Sequence, residues 1–192
     1  MKYLIFSIAT EQKLAKRITA NETFIQQHYP GENFISTTEE LRGANRYTER
    51  MTLPENVRIA ESRTHIKSNE QQRTLKKELW QAGVLSQKGN SVFLTPEYSA
   101  YKVRVTDAVV NGFPYEFRNI TGQIRKIETR FGNAKEKGDN VNVFLYIDTN
   151  VDISEVRRRI GLVLNRHPEY TGKITISIRG NETYFWDTSS FR

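Results

Sequence analysis

Asp107, Glu116 and Arg118 have the types and spacing for chemistry on an anionic substrate or a bound cation. They stand in the stretch TDAVVNGFPYEFR, on either side of Asn111-Gly112. Asn-Gly is the strongest short hairpin signal, because a type I′ turn needs positive φ at both central residues. With those two as the loop, Val110 faces Phe113 and Asp107 falls opposite Glu116. Cross-strand neighbours lie ~5 Å apart, and like charges opposed there destabilise the pair. A cation or a raised pKa has to settle it. Two carboxylates of this kind suit Mg²⁺ or Mn²⁺, with Asp107 and Glu116 as the metal ligands. The competing reading is a solvent-facing hairpin in which Arg118 and Lys102 neutralise the acids.

The elements that must position these residues are legible on both sides. Tyr101, Val103 and Val105 alternate with Lys102, Arg104 and Thr106, and Phe113, Tyr115 and Phe117 alternate beyond the turn. A helix follows from Thr121 to about Lys137, with Ile124, Ile127 and Phe131 inward. Its outer face carries Gln123, Arg125, Lys126 and Arg130, with Lys135 and Lys137 at the end. These side chains suit a phosphate backbone, and free N–H groups at Thr121-Gly122-Gln123 suit an anion. A solvated face reads the same way in sequence. Tyr98, Tyr101, Phe113 and Tyr115 suit stacking on unpaired bases, or a core. His167 follows a basic helix end, where it serves as a general acid or as a C-terminal cap. His28 and His65 receive no role.

The remaining chain divides at about residue 69. Residues 3–9 read as a short strand, and Thr10 caps a helix that ends near His28 before Pro30-Gly31. The pattern then weakens, and residues 42–56 read as a linker or extended arm. Residues 1–68 are thus a region of unassigned role, partly linker-like. From Asn69 the order is α-β-β-β-α-β-α-β-β over residues 69–192. Helices end at Ala82-Gly83 and at Pro168, and KITISIR alternates as a strand with one face in the core and the other in solvent. That is an α+β (mixed α/β) unit: a central mixed sheet, a β-hairpin patch, and two to three packed helices.

Composition sets the outer limits. The 192 residues include no cysteine, which excludes disulfides, zinc-thiolate sites and thiol nucleophiles. The formal charge is +7, so acidic partners are expected, nucleic acid first. The apolar run at residues 3–9 is too short and too quickly followed by charge for a signal peptide. No later run approaches the ~20 apolar residues of a membrane helix. No membrane partner and a cytoplasmic location are expected.

Two runs carry a resemblance: LKKELWQAGVLSQKGNSVFLTPE, and TDAVVNGFPYEFRNITGQIRKIETRFGNAKEKGDNVNVFLYID. Together they resemble the C-terminal nuclease domains of contact-dependent growth-inhibition toxins. They are also similar to nuclease-like modules attached to phage minor head proteins. The shared order is a helix and glycine, a V-x-L-x-P-E strand, an Asp strand, an N-G turn, an E-x-K strand, a helix, a polar turn and an apolar strand ending in Asp. Those modules sit among compact barnase/EndoU/colicin/RelE-like or PD-(D/E)xK-like nucleases, and the resemblance covers roughly residues 72–187. The resemblance implies an endoribonuclease acting on RNA rather than DNA, with tRNA as candidate substrate. It makes Asp107, Glu116 and Arg118 the catalytic set, with Asn133, Lys135 and Asp148 at the later motif positions. It also implies an immunity protein or a phage head protein as partner. Arg118 stands where the family has Lys. An arginine keeps its proton and cannot act as a base, but it can hold phosphate. The alternative is therefore a catalytically inactive nuclease fold that binds nucleic acid or has a structural role in a phage or mobile element.

Overall fold

The computed structural model describes residues 2–97 and 105–191, with side chains from residue 10 onward. Tyr98, Tyr101, Lys102 and the strand expected at 101–104 lie outside the described residues. The chain packs as two compact units, Met1–Phe113 and Pro114–Arg192. The expected division at residue 69 concerns which segment folds alone, a different question from where contacts are sparsest.

Unit 1 holds α1 (Lys2–His28), β1 (Phe34–Ile35), α2 (Thr38–Ala44), β2 (Val57–Ala60), α3 (Asn69–Ser86), β3 (Val92–Leu94) and β4 (Ala108–Val110). Strand β1 runs antiparallel to β2, β2 parallel to β3, and β3 antiparallel to β4. A parallel pair needs a long crossover, and α3 supplies it between β2 and β3. Ser68 starts α3 by accepting from the Gln71 amide, and a full capping box of Thr37 and Glu40 starts α2. Ile25 and Tyr29 of α1 pack on Phe93 and Val109 to form the local core.

The Asn111-Gly112 turn has φ of 53° and 86°, both positive as a type I′ turn requires. It is also a docking point for α1. Buried Asn21 accepts from the Gly112 amide at 2.7 Å and donates to the Ser91 carbonyl at 3.0 Å. A Cβ on Gly112 would come within 3.1 Å of Ala20, so glycine is needed there for space as well as for φ.

Three expectations for this half need correction. Residues 3–9 are helical, within α1, not a strand; a seven-residue apolar run fits either period. Residues 42–56 are packed rather than a linker, with Thr48, Met51 and Leu53 buried. Their polar composition is internal bonding: the Arg42 Nε donates to the Met51 carbonyl at 2.9 Å, and the Thr48 hydroxyl to the Asn45 carbonyl at 2.8 Å. Helix α3 passes through Ala82-Gly83 to Ser86. A Cβ on Gly83 would lie 3.2 Å from Pro54 Cγ, so this glycine marks a close approach and not an end.

Unit 2 takes up β5 (Phe113–Ile120), α4 (Lys126–Lys135), β6 (Asn142–Ile147), α5 (Ile153–Arg166), β7 (Ile174–Ile178) and β8 (Glu182–Trp186). Strands β5, β6 and β7 are parallel in sequence order, and β8 closes the edge antiparallel to β7. Helices α4 and α5 are the crossovers. Phe131 and Ile127 of α4, Val156 and Ile160 of α5, and Val143, Leu145 and Ile176 of the strands form one buried cluster. Arg159 of α5 reaches Glu128 of α4 at 2.8 Å. Asp152 caps α5 by accepting from the Ser154 amide.

The α+β class and the element order from Asn69 are as expected, with mixed strand directions in both units. Two details differ. Helix α4 starts at Lys126, five residues later than expected, after a bend at Gly122 with φ of 78°. Strand β7 is buried along its whole length, because Thr175 and Ser177 are covered along with the isoleucines. Among the described residues no helix is long and apolar enough to cross a membrane.

Candidate functional site

The chemistry of unit 1 gathers on Arg63, which stands in a 3₁₀ turn, Glu61–Thr64, directly after β2. Its side chain is 4% exposed. A guanidinium this deep must be neutralised and bonded. One Nη donates to the Asp107 backbone carbonyl at 3.0 Å; the other lies 3.2 Å from a Glu78 carboxylate oxygen and 3.8 Å from the Asp107 carboxylate. Glu78 comes from the middle of α3, one turn after buried Leu75, so the helix carries it inward. Asp107 leads into β4, and the Thr95 amide fixes its backbone by donating to the same carbonyl at 3.1 Å.

Two acids share one cation here, and their fates differ. Burial pushes the Glu78 carboxyl up to about 7; Arg63 pulls it down, while Asp107 and Glu97 push it further up. A carboxyl that titrates near neutrality exchanges a proton under working conditions, which is what a general acid or base requires. Tyr29 sits in the same neighbourhood, its hydroxyl raised by burial and lowered by bonding to Thr95.

The cluster opens to solvent within unit 1. A small cavity of about 30 Å³, room for a water molecule, is lined by Arg63, Glu78, His65, Ser62, Gln71 and Glu97. A cleft of about 390 Å³ shares Ser62, His65, Gln71 and Glu97 and adds Glu32, Lys67 and Pro96. Glu32 fixes the turn by accepting from the Ser62 hydroxyl at 2.8 Å and its amide at 3.0 Å. A titratable carboxyl and a fixed cation thus line a small cavity that shares Ser62, His65, Gln71 and Glu97 with the larger cleft.

Arg63, Glu78, His65 and Glu97 were not among the residues singled out from the sequence. Glu78 did leave a signal, an acid beside Leu79 on the apolar stripe of α3. Glu97 closes the V-x-L-x-P-E run. Arg63 and His65 lie where periodicity is silent.

Of the expected set, Asp107 belongs to unit 1 and Glu116 and Arg118 to unit 2. Glu116 and Arg118 are joined in an ion pair. Glu116 points inward, its side chain 3% exposed, while Arg118 is at 24% and also donates to the Phe117 carbonyl at 3.1 Å. Strand alternation accounts for the pairing, since residues two apart share a face. Among the described residues no group of three His, Asp or Glu side chains could hold a metal ion. Glu78 and Asp107 share a guanidinium, and Glu116 is bonded to Arg118.

The basic helix separates into two kinds of cation. Gln123, Arg125, Lys126 and Arg130 are exposed. Lys126 Nζ donates to the Thr121 carbonyl at 3.2 Å, which closes the bend before α4. Lys135 is committed: it lies 2.9 Å from both Glu169 and His167 Nδ1, and 3.9 Å from Asp139. Its bond holds the Glu169 carboxyl down at about 2. His167 is the C-cap of α5, the structural one of its two expected roles. Lys137 is half-buried.

No protein-family model and no curated protein matches the chain. One solved structure is similar, a CdiA-CT/CdiI toxin and immunity complex from Burkholderia pseudomallei. The match is 20% identical, with a TM-score of 0.46, over 64% of this chain and 91% of that one.

Proposed function

We propose that the chain is a nuclease-like domain directed at RNA, cleaving phosphodiester bonds by carboxylate acid–base catalysis, with tRNA as the first candidate substrate. The observation that carries this reading is Glu78, 3.2 Å from buried Arg63 in a cavity that shares four lining residues with a cleft of about 390 Å³, its carboxyl pushed up by burial to about 7. Its carboxylate takes the proton from the attacking 2′-hydroxyl as that oxygen bonds to phosphorus, the bond from phosphorus to the 5′-oxygen breaks, and the leaving 5′-oxygen takes a proton from water, which leaves a cyclic phosphate and a free 5′-hydroxyl. Arg63 and its bond to Asp107 hold a fixed positive charge beside the developing oxyanion, where preorganised charge lowers the barrier most. His65 and Lys67 line the route in, and the net charge of +7 favours a polyanion. Glu116 and Arg118 enter through the order of the D-x8-E-x-R motif. The resemblance gives Arg118 the role of holding phosphate, and gives Asp107 and Glu116 each that of an acid–base group or a ligand for Mg²⁺ or Mn²⁺. An immunity protein or a phage head protein as partner rests on the sequence resemblance, and co-purification tests it.

The second reading is an inactive nuclease fold that binds nucleic acid or serves a phage or mobile element structurally. The closed Glu116–Arg118 pair favours it, since an acid bonded to a permanent cation is a poor base. Incubating purified protein with total tRNA, with Mg²⁺ and with chelator, separates the two. Cleavage lost in Glu78→Gln supports the first. Intact tRNA under both conditions, with binding retained, selects the second. Cleavage unchanged in Glu78→Gln removes Glu78 from the chemistry.

A further inference from the structure

Helix α3 has a second working flank. Gln71, Leu75 and Glu78 face the cleft beside Arg63, whereas Lys76, Leu79 and Trp80 line a separate groove of about 290 Å³. The segment once expected to be a linker makes its other wall, with Arg50, Met51 and Pro54. The floor is apolar: Met51 is 3% exposed and Leu79 5%. Trp80 is at 37%, with Arg50 and Lys76 exposed beside it, and among the described residues no acidic side chain lines the groove.

This wall is held in place. Arg42 bonds the Met51 carbonyl at 2.9 Å, and the Leu53 amide donates to the Thr38 hydroxyl at 3.1 Å. Pro54 fits against α3 because Gly83 leaves space for it. The groove is therefore preformed, at the small end of ligand-pocket sizes.

We infer that this groove holds one base of a single-stranded RNA, stacked on Trp80, with the flanking phosphates on Arg50 and Lys76. Charge selects the occupant. A flat apolar floor with an indole at the surface and cations alone among its charges fits a ligand that is aromatic and anionic at once. Unpaired nucleotides have both properties, and stacking on aromatic side chains is their general mode of capture. The inference deepens the RNA-directed reading and rests on it for the class of ligand. Its test reads binding alone.

The chain has two tryptophans, so Trp186→Phe leaves Trp80 as the only indole reporter. The full-length variant is titrated with a short 2′-O-methyl oligoribonucleotide, which lacks the free 2′-hydroxyl and resists cleavage. The expected result is saturable quenching of Trp80. Replacing Arg50 and Lys76 together with Ala weakens binding about tenfold at low salt and reduces the slope of log K against log salt by ~1.4, at ~0.7 per phosphate contact. Trp80→Phe keeps most of the affinity and Trp80→Ala loses roughly tenfold. Anisotropy of a labelled oligonucleotide gives the same comparison in chains that keep Trp186. Oligonucleotide binding that leaves Trp80 fluorescence unchanged overturns the inference, as does absence of binding. Equal quenching by poly-glutamate also overturns it and points to an acidic protein partner. Cleavage of tRNA without quenching sinks the groove alone; quenching without cleavage sinks the catalytic reading alone.

Discussion

Arg63 in unit 1 and Arg118 in unit 2 each meet a buried carboxylate, and they do so on different terms. Arg63 is almost fully enclosed and shared among Glu78, the Asp107 carboxylate and the Asp107 carbonyl. Arg118 is a quarter exposed and paired with Glu116, two residues away on the same strand. The first arrangement joins a 3₁₀ turn, a helix and the lead-in to a strand. The second is local to one strand. Burial is the main cause that raises the Glu78 carboxyl; Arg63 pulls it back, and Asp107 beside the same cation pushes it further up. A second acid beside the cation therefore adds to what burial has already done to Glu78.

The largest expected effect breaks the first arrangement. Arg63→Ala leaves buried Glu78 without its cation beside half-buried Asp107, whose carbonyl loses a donor, and removing one partner of a buried pair costs about 3–5 kcal/mol. Arg118→Ala should cost less, about 1–3 kcal/mol, because water can reach the space it vacates. Denaturant midpoints of the two variants measure the contrast. Equal losses would show that enclosure is not what separates the two sites.

The next test is pH. Glu78 has its folded value raised from 4.5 to about 7, so the folded chain holds that proton more tightly than the unfolded chain. Its contribution to stability is fully present below pH 4.5, declines through the interval, and is lost above about pH 7. That is worth roughly 3 kcal/mol at most. Glu78→Gln should flatten the stability profile across this window and be no less stable than wild type at pH 8. If Glu78 is the base, the cleavage rate of wild type rises with pH up to about 7 and then levels. A profile unchanged by Glu78→Gln would mean that Arg63 compensates Glu78 and Asp107 fully, and the contrast with Arg118 would fail.

How much of this was legible follows the same line between local and distant. Helix α5, strand β6 and the Asn111-Gly112 turn rest on cues within a few residues, and all three stand where periodicity put them. The Glu116–Arg118 pairing, two apart on a strand, is equally local. Arg63 meets Asp107 across 44 positions and Glu78 across 15, through a turn without period, so nothing near it announced its role. Residues 42–56 misled for a related reason: their polar side chains satisfy the backbone of an irregular but packed segment. Limited proteolysis checks that packing. Protection of residues 42–56 is expected, whereas early cleavage there would support 69–192 as the unit that folds alone.

A smaller effect is expected at unit 2's own pair. Glu116→Gln keeps the shape but removes the charge that Arg118 answers. A drop in melting temperature with RNA cleavage intact would make the pair structural. Cleavage lost with RNA affinity retained would bring Glu116 into the reaction. Arg118→Lys sharpens the outcome, since a lysine preserves charge without the planar fork. Activity kept in Arg118→Lys and lost in Arg118→Ala means that charge on the phosphate is what the position supplies.

The smallest effect separates cations that are committed from cations that are available. Lys135 holds Glu169, His167 and Asp139, so it spends its charge inside unit 2. Arg125 and Arg130 stand exposed along α4, and no ion pair of theirs is found among the described residues. Counterion release makes the salt dependence of RNA binding a count of phosphate contacts, at ~0.7 per contact on a single strand. Replacing Arg125 and Arg130 with Ala should lower that slope by up to ~1.4 while melting stays unchanged. Lys135→Ala should do the reverse, lowering the melting temperature slightly and leaving the slope alone, because its charge is already answered by carboxylates. If all three variants leave the slope untouched, α4 is a solvated face, and RNA contact in this chain falls to unit 1.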